Sequence, residues 1–62
     1  MNNNTIKEKK VEVFNLLDDG DRVIYEKLQL QDYEEIIHIT RDEFTYDKLG
    51  TPKIVVWYDI YD

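Results

Sequence analysis

Carboxylates are the one reactive group this chain holds in quantity, with fourteen Asp and Glu in sixty-two residues. A hydrolytic pair of acids needs a cleft that drives their pKa values apart, and a domain this small rarely encloses one. Serine and cysteine are absent, so a nucleophile would have to be Thr or Lys. The single histidine, His38, follows Glu34 by four residues, and on a helix that spacing makes a solvated pair more readily than a general base. One histidine without cysteine excludes a His/Cys zinc site. Asp18-Asp-Gly-Asp21 and Asp42-Glu43 offer oxygen to a divalent cation. The first lacks the spacing and closing glutamate of an EF-hand, and turn chemistry accounts for it. Two glycines leave no glycine-rich phosphate loop. The expectation is a protein that is not an enzyme and takes no metal or cofactor.

Aromatic residues point elsewhere. Tyr25, Tyr33, Tyr46, Trp57, Tyr58 and Tyr61 are many for so thin a core, and Tyr and Trp dominate protein–protein hot spots. Tyr33 and Trp57 each have a plain reading as core. From Val11 to Asp62 there are thirteen acids and five bases, a net charge of −8. That field disfavours nucleic acid, whose phosphates require Lys and Arg, and attracts a partner with a basic cleft. An apolar pocket with an acidic rim would imitate DNA, its carboxylates standing for phosphates. The bland alternative is an acidic surface that serves solubility alone.

These side chains have to be positioned by a small scaffold. Lys10–Leu17 and Arg22–Leu28 flank Asp19-Gly20, a two-residue type I′ signal, and predict an N-terminal β-hairpin. Its register pairs Phe14 with Tyr25 and Glu12 with Lys27. From Leu28 onward an amphipathic helix is expected, with Leu30, Tyr33, Ile36, Ile37 and Thr40 on one side and Glu34, Glu35 and His38 on the other. Thr40-Arg-Asp-Glu43 has the form of a capping box and predicts a short helical turn, ended by Gly50 and Pro52. A loop at Thr40, or one helix through Lys48, is the alternative. Lys53–Tyr61 is the strongest strand signal, with Ile54, Val56, Tyr58 and Ile60 on one face and Val55, Trp57, Asp59 and Tyr61 on the other. The predicted class is α+β: a three-stranded antiparallel sheet, N-terminal hairpin plus C-terminal strand, with one main helix on one face. Residues 1–62 form a single domain in this reading, with 1–8 a flexible terminus.

Both faces of the last strand are largely apolar, and one helix covers only one of them. The other calls for a second copy or a partner, which argues for a homodimer. No signal peptide, lipidation motif or 18-residue apolar run is present, so the expected location is the cytoplasm, without membrane contact.

Val13-Phe-Asn-Leu-Leu-Asp-Asp-Gly20, Tyr25-Glu26 and Leu28-Gln-Leu-Gln-Asp-Tyr-Glu34 resemble the short uracil-DNA glycosylase inhibitors of small Bacillus phages. The family pattern is a strand with paired leucines, an Asp-Asp-Gly turn, a Tyr-Glu strand, and Leu-x-Leu-x-Asp-Phe-Glu opening a helix. The likeness covers roughly residues 11–37 and needs a gap between Glu26 and Leu28. Tyr33 replaces the family's Phe, Ile37 replaces a tyrosine, and the C-terminal region does not align beyond a final strand. The resemblance implies a dimeric acidic DNA mimic from a phage, in which an apolar pocket formed across the dimer captures the DNA-intercalating side chain of a host uracil-DNA glycosylase. Carried over, Tyr33 and Ile37 line that pocket, while Glu26 and Glu34 meet the DNA-binding groove. Two other readings stand beside it: an inhibitor of another nucleic-acid enzyme (nuclease, restriction enzyme or CRISPR effector), or a small dimeric adaptor.

Overall fold

The computed structural model describes residues 5–61, in the order β1 (Ile6–Asn15), α1 (Asp19–Tyr33), β2 (Ile37–Tyr46) and β3 (Pro52–Tyr61). The strands form one open antiparallel sheet, β1-β3-β2, so the most β-prone run of the chain takes the central place. The fold is α+β, three antiparallel strands and one helix. β1 and β2 both pair with β3, and α1 carries the chain from one edge of the sheet to the other. The pleat of β3 divides as its pattern predicts. Val56 and Tyr58 are buried under the helix with Phe14, Leu28 and Ile37, and Tyr25, Ile39, Ile54 and Ile60 pack around them.

The expected N-terminal hairpin is not formed. Asp18 caps a helix instead: its carboxylate accepts from Asp21 N, and Asp19 and Asp21 sit in the first turn, where the dipole favours acids. Asp21 also reaches back to accept from Asn15 N at 2.9 Å, which seals the junction with β1. Beyond the cap, Glu26-Lys-Leu-Gln-Leu-Gln31 is an unbroken run of good helix formers, and tertiary packing adds Tyr25 and Leu28 on the sheet side. The predicted Phe14–Tyr25 contact does exist, with ring centroids 5.6 Å apart, but it joins strand to helix rather than strand to strand.

The predicted helix from Leu28 is displaced as well, because α1 ends where that helix was to begin. Glu34 is its C-cap, and the next amides turn back: Glu35 N donates to Asp32 O and Ile36 N to Gln31 O. Those two bonds make a Schellman closure, with Glu35 left-handed at φ 65°. Ile37 then enters β2. Thr40-Arg-Asp-Glu43 is strand and not a capping box. The register of β2 shifts between Ile39 and Arg41, so Thr40 bulges out and its hydroxyl donates to Trp57 O at 3.2 Å. Gly50, φ 81°, turns the β2–β3 hairpin rather than ending a helix, and Pro52 opens β3, where a missing N–H is tolerated. Of the terminus expected to be flexible, residues 1–4 lie outside the described residues, whereas Ile6 and Glu8 pair with Tyr61 and Ile60 of β3.

Candidate functional site

Helix α1 turns Leu28 to the sheet, and with it Asp21, Tyr25 and Asp32, all partly buried or buried. At about 100° per residue the opposite side carries Val23, Glu26, Leu30 and Tyr33. All four are exposed, Leu30 at 54% and Tyr33 at 84%. Glu34 follows at the C-cap, also exposed. Three of the four residues singled out in the sequence, Glu26, Tyr33 and Glu34, thus share the outer surface of one helix. The fourth does not join them. Ile37 is 4% exposed and belongs to the core, because the Schellman reversal turns the chain before it and β2 points it at the helix. A pocket lined jointly by Tyr33 and Ile37 is therefore not formed within this chain.

His38 is likewise separated from Glu34. It lies in β2, with Nδ1 3.9 Å from Asp32 Oδ1, while Asp32 accepts the Ile39 amide at 2.9 Å. Asp32, Glu35, Ile37, His38 and Tyr61 line a shallow cleft of about 250 Å³ where α1 hands over to β2. It is open on one side and excludes water poorly, which is unfavourable for acid–base chemistry. Among the described residues no group of three or more His, Cys, Asp or Glu is arranged to hold a metal ion. No helix there is long and apolar enough to cross a membrane.

Two polar groups are tuned by the fold. Tyr58 donates to Glu12 Oε1 at 2.7 Å, and burial, reinforced by that carboxylate, pushes its hydroxyl up to about 12. Asp47 accepts from Leu49 N and Thr51 N at 2.9 Å each. The Thr51 amide foremost holds its carboxyl below the usual carboxylate range. Both features serve the sheet and its hairpin; Tyr58 also lines a small open cleft of about 140 Å³ with Lys9, Lys10 and Trp57.

No protein-family model, curated protein or solved structure matches this chain. The segments that carry the resemblance to the glycosylase inhibitors fold as the end of β1, the cap of α1 and the body of α1. Their strand–turn–strand–helix order is not the order of this molecule.

Sequence reasoning missed Val23 and Leu30, which give the outer helix surface its apolar ground. The signal was their spacing of seven, in register with Glu26 and Tyr33, and the expectation of a strand through residues 22–28 concealed it. Missed too was an apolar end of the molecule. Leu16 N donates to Pro52 O, and Pro52 pairs with Tyr46, which stacks edge-on with Phe44 at 5.2 Å. Leu17 and Leu49 are exposed at that same end.

Proposed function

We propose that the protein is a stoichiometric, non-catalytic inhibitor of a host bacterial uracil-DNA glycosylase, which presents the outer surface of α1 to the enzyme's DNA-binding groove as an acidic DNA mimic. The observation that carries this reading is the stripe Val23, Glu26, Leu30 and Tyr33, extended by Glu34: apolar side chains held at the surface between carboxylates, on the side of the helix that the fold does not use. Leu30 and Tyr33 supply apolar ground for a side chain that would otherwise enter DNA. Glu26 and Glu34 supply negative charge to a groove built for phosphate. With a formal net charge of −6 the whole molecule is drawn to such a groove. The partners proposed are the glycosylase and a second copy of the chain, in the host cytoplasm.

The choice of glycosylase rests on the sequence resemblance alone. The differing element order favours one further reading, in which the same surface meets the groove of another nucleic-acid enzyme. The test is uracil excision from a single-stranded oligonucleotide by a bacterial glycosylase, with this protein titrated to equivalence. Activity should vanish near stoichiometry. Tyr33→Ala with Glu26→Gln and Glu34→Gln should weaken inhibition by roughly 100-fold or more, the loss expected when an aromatic anchor and its flanking charges are removed together. All three positions are exposed, so the variant should keep the wild-type circular dichroism. Undiminished excision at large excess of folded protein would overturn the glycosylase target, and full potency of the triple variant would overturn the site.

A further inference from the structure

β1 is an edge strand, and its outward backbone can be traced residue by residue. In an antiparallel pair the N–H and C=O of one residue point to the same side, and successive residues alternate. Asn15 fixes the phase. Its N–H donates to Asp21 Oδ2 at 2.9 Å and its C=O accepts from Asp18 N at 3.0 Å, so both point away from β3. Leu16 N donates inward, to Pro52 O of β3 at 3.1 Å, as the alternation requires. The register with β3 then runs unshifted from Asn15 back to Glu8, so Val13, Val11 and Lys9 also turn N–H and C=O outward. All three are exposed, and nothing else among the described residues bonds to their amides. Such an edge is a template for a further strand. The other edge, β2, is guarded differently: Asp32 accepts the Ile39 amide, the ladder is broken at Thr40, and Asp42 and Glu43 follow.

Charge decides which strand suits β1. Three of the chain's eight bases, Lys7, Lys9 and Lys10, fall within four residues of it, and all are exposed. Glu8 is the exposed acid among them, since Glu12 is engaged by Tyr58. Lys9 reaches Asp59 at 3.2 Å yet leaves 74% of its side chain in solvent, which keeps it open to a second carboxylate. We infer that the β1 edge takes an extended acidic segment of another protein as a fourth, antiparallel strand, paired through the backbone of Lys9, Val11 and Val13. Side chains directly across set its pattern: β-branched residues opposite Val13 and Val11, then carboxylates opposite Lys10 and Lys9. Asp42 and Glu43 would repel the same strand from β2. A second β1 suits the edge less well, because it brings three lysines of its own. No residue of the outer α1 surface takes part, so the edge and the helix surface act independently.

The experiment is an amide-resolved NMR titration of the isotope-labelled full chain with the blocked peptide Thr-Val-Thr-Val-Glu-Glu-Thr. The amides of Lys9, Val11 and Val13 should move downfield and become protected from hydrogen exchange. Those of Lys10 and Glu12, which already face β3, should shift less. N-methylation of the second peptide valine, whose N–H faces Val11, should abolish binding, whereas N-methylation of the threonine between the valines, whose N–H faces solvent, should be tolerated. Lys7→Gln with Lys10→Gln should weaken binding about five-fold, the combined effect of two exposed ion pairs. Tyr33→Ala should bind the peptide as the wild type does. No shift at large peptide excess, shifts confined to β2, or equal binding by the two N-methylated peptides would each overturn the inference. Shifts at the same three amides that grow with protein concentration in the absence of peptide would give the edge to a second copy, and would overturn it too. Uracil excision enters none of these readings, so the two proposals fail separately.

Discussion

Tyr58 and Glu12 show how a single pair manages a polar group inside a thin core. Tyr58 stands on the helix face of β3 opposite Lys10 and two residue-pairs from Glu12, and its hydroxyl would be stranded under α1 without the carboxylate. Glu12 is partly buried and depends on the same bond. Tyr58→Phe leaves that carboxylate without its donor and should cost about 1 kcal/mol at neutral pH. The pair also sets an alkaline limit. The hydroxyl is raised from 10.0 to about 12 on folding, so its contribution is complete below pH 10 and is lost as pH climbs toward 12. Denaturant titrations across that window should show the wild type losing stability and the Phe variant following a flatter curve. Identical slopes for the two proteins would refute Tyr58 as the titrating group.

At the scale of the element, the end of α1 carries a cost that can be removed. A Schellman closure favours glycine at its left-handed position, and here Glu35 holds φ 65°. That conformation costs an L-residue about 1–2 kcal/mol, offset in part by the greater chain entropy glycine loses on folding. Glu35→Gly should therefore stabilise the fold by about 0.5–1 kcal/mol, roughly 4–8 °C in Tm for a chain of this length. Glu35→Ala should gain nothing, and a thermal melt in which Gly is no better than Ala would sink the argument. The same junctions explain what the sequence made legible. β3 was readable, with both faces assigned, because its apolar run is unbroken from Ile54 to Tyr58. Asp18-Asp-Gly-Asp21 was not, since one set of residues satisfies a type I′ turn and a helix cap equally, and only the bond from Asn15 N to Asp21 and the packing of Leu28 decide between them. β2 was hidden by its own bulge: Ile37 and Ile39 point to the helix from odd positions, Phe44 and Tyr46 from even ones, so no period of two survives across Thr40. Among the site residues, Glu34 was legible as an exposed acid, whereas Glu26 was expected on a strand and Tyr33 on the apolar side of the helix with Ile37, and both reach the outer surface only because α1 occupies residues 19–33. Ile37 was not legible, because its burial depends on a reversal that glycine would usually have announced.

For the whole molecule, charge and apolar contact should act on different steps of binding. On the helix-free sheet face Glu43 and Asp59 are paired with Arg41 and Lys9, whereas α1, which carries the proposed site, has Asp19, Asp21, Glu26 and Asp32 against Arg22 and Lys27. Long-range attraction to a basic groove speeds encounter and is screened by salt, since the Debye length falls from about 10 Å at 0.1 M to about 3 Å at 1 M. Contacts made by Leu30 and Tyr33 form only after docking and act mainly on dissociation. Stopped-flow association with the glycosylase should therefore slow by about ten-fold or more across that salt range, with the dissociation rate nearly constant. Tyr33→Ala should show the converse, an unchanged salt slope and faster dissociation. Glu26→Gln with Glu34→Gln should lower the association rate and flatten its salt dependence, because the proposed site sets those two charges nearest the groove. An association rate indifferent to salt would mean that the acids serve solubility alone, and the mimic reading would then lose its electrostatic half while the apolar stripe kept its place as the contact surface.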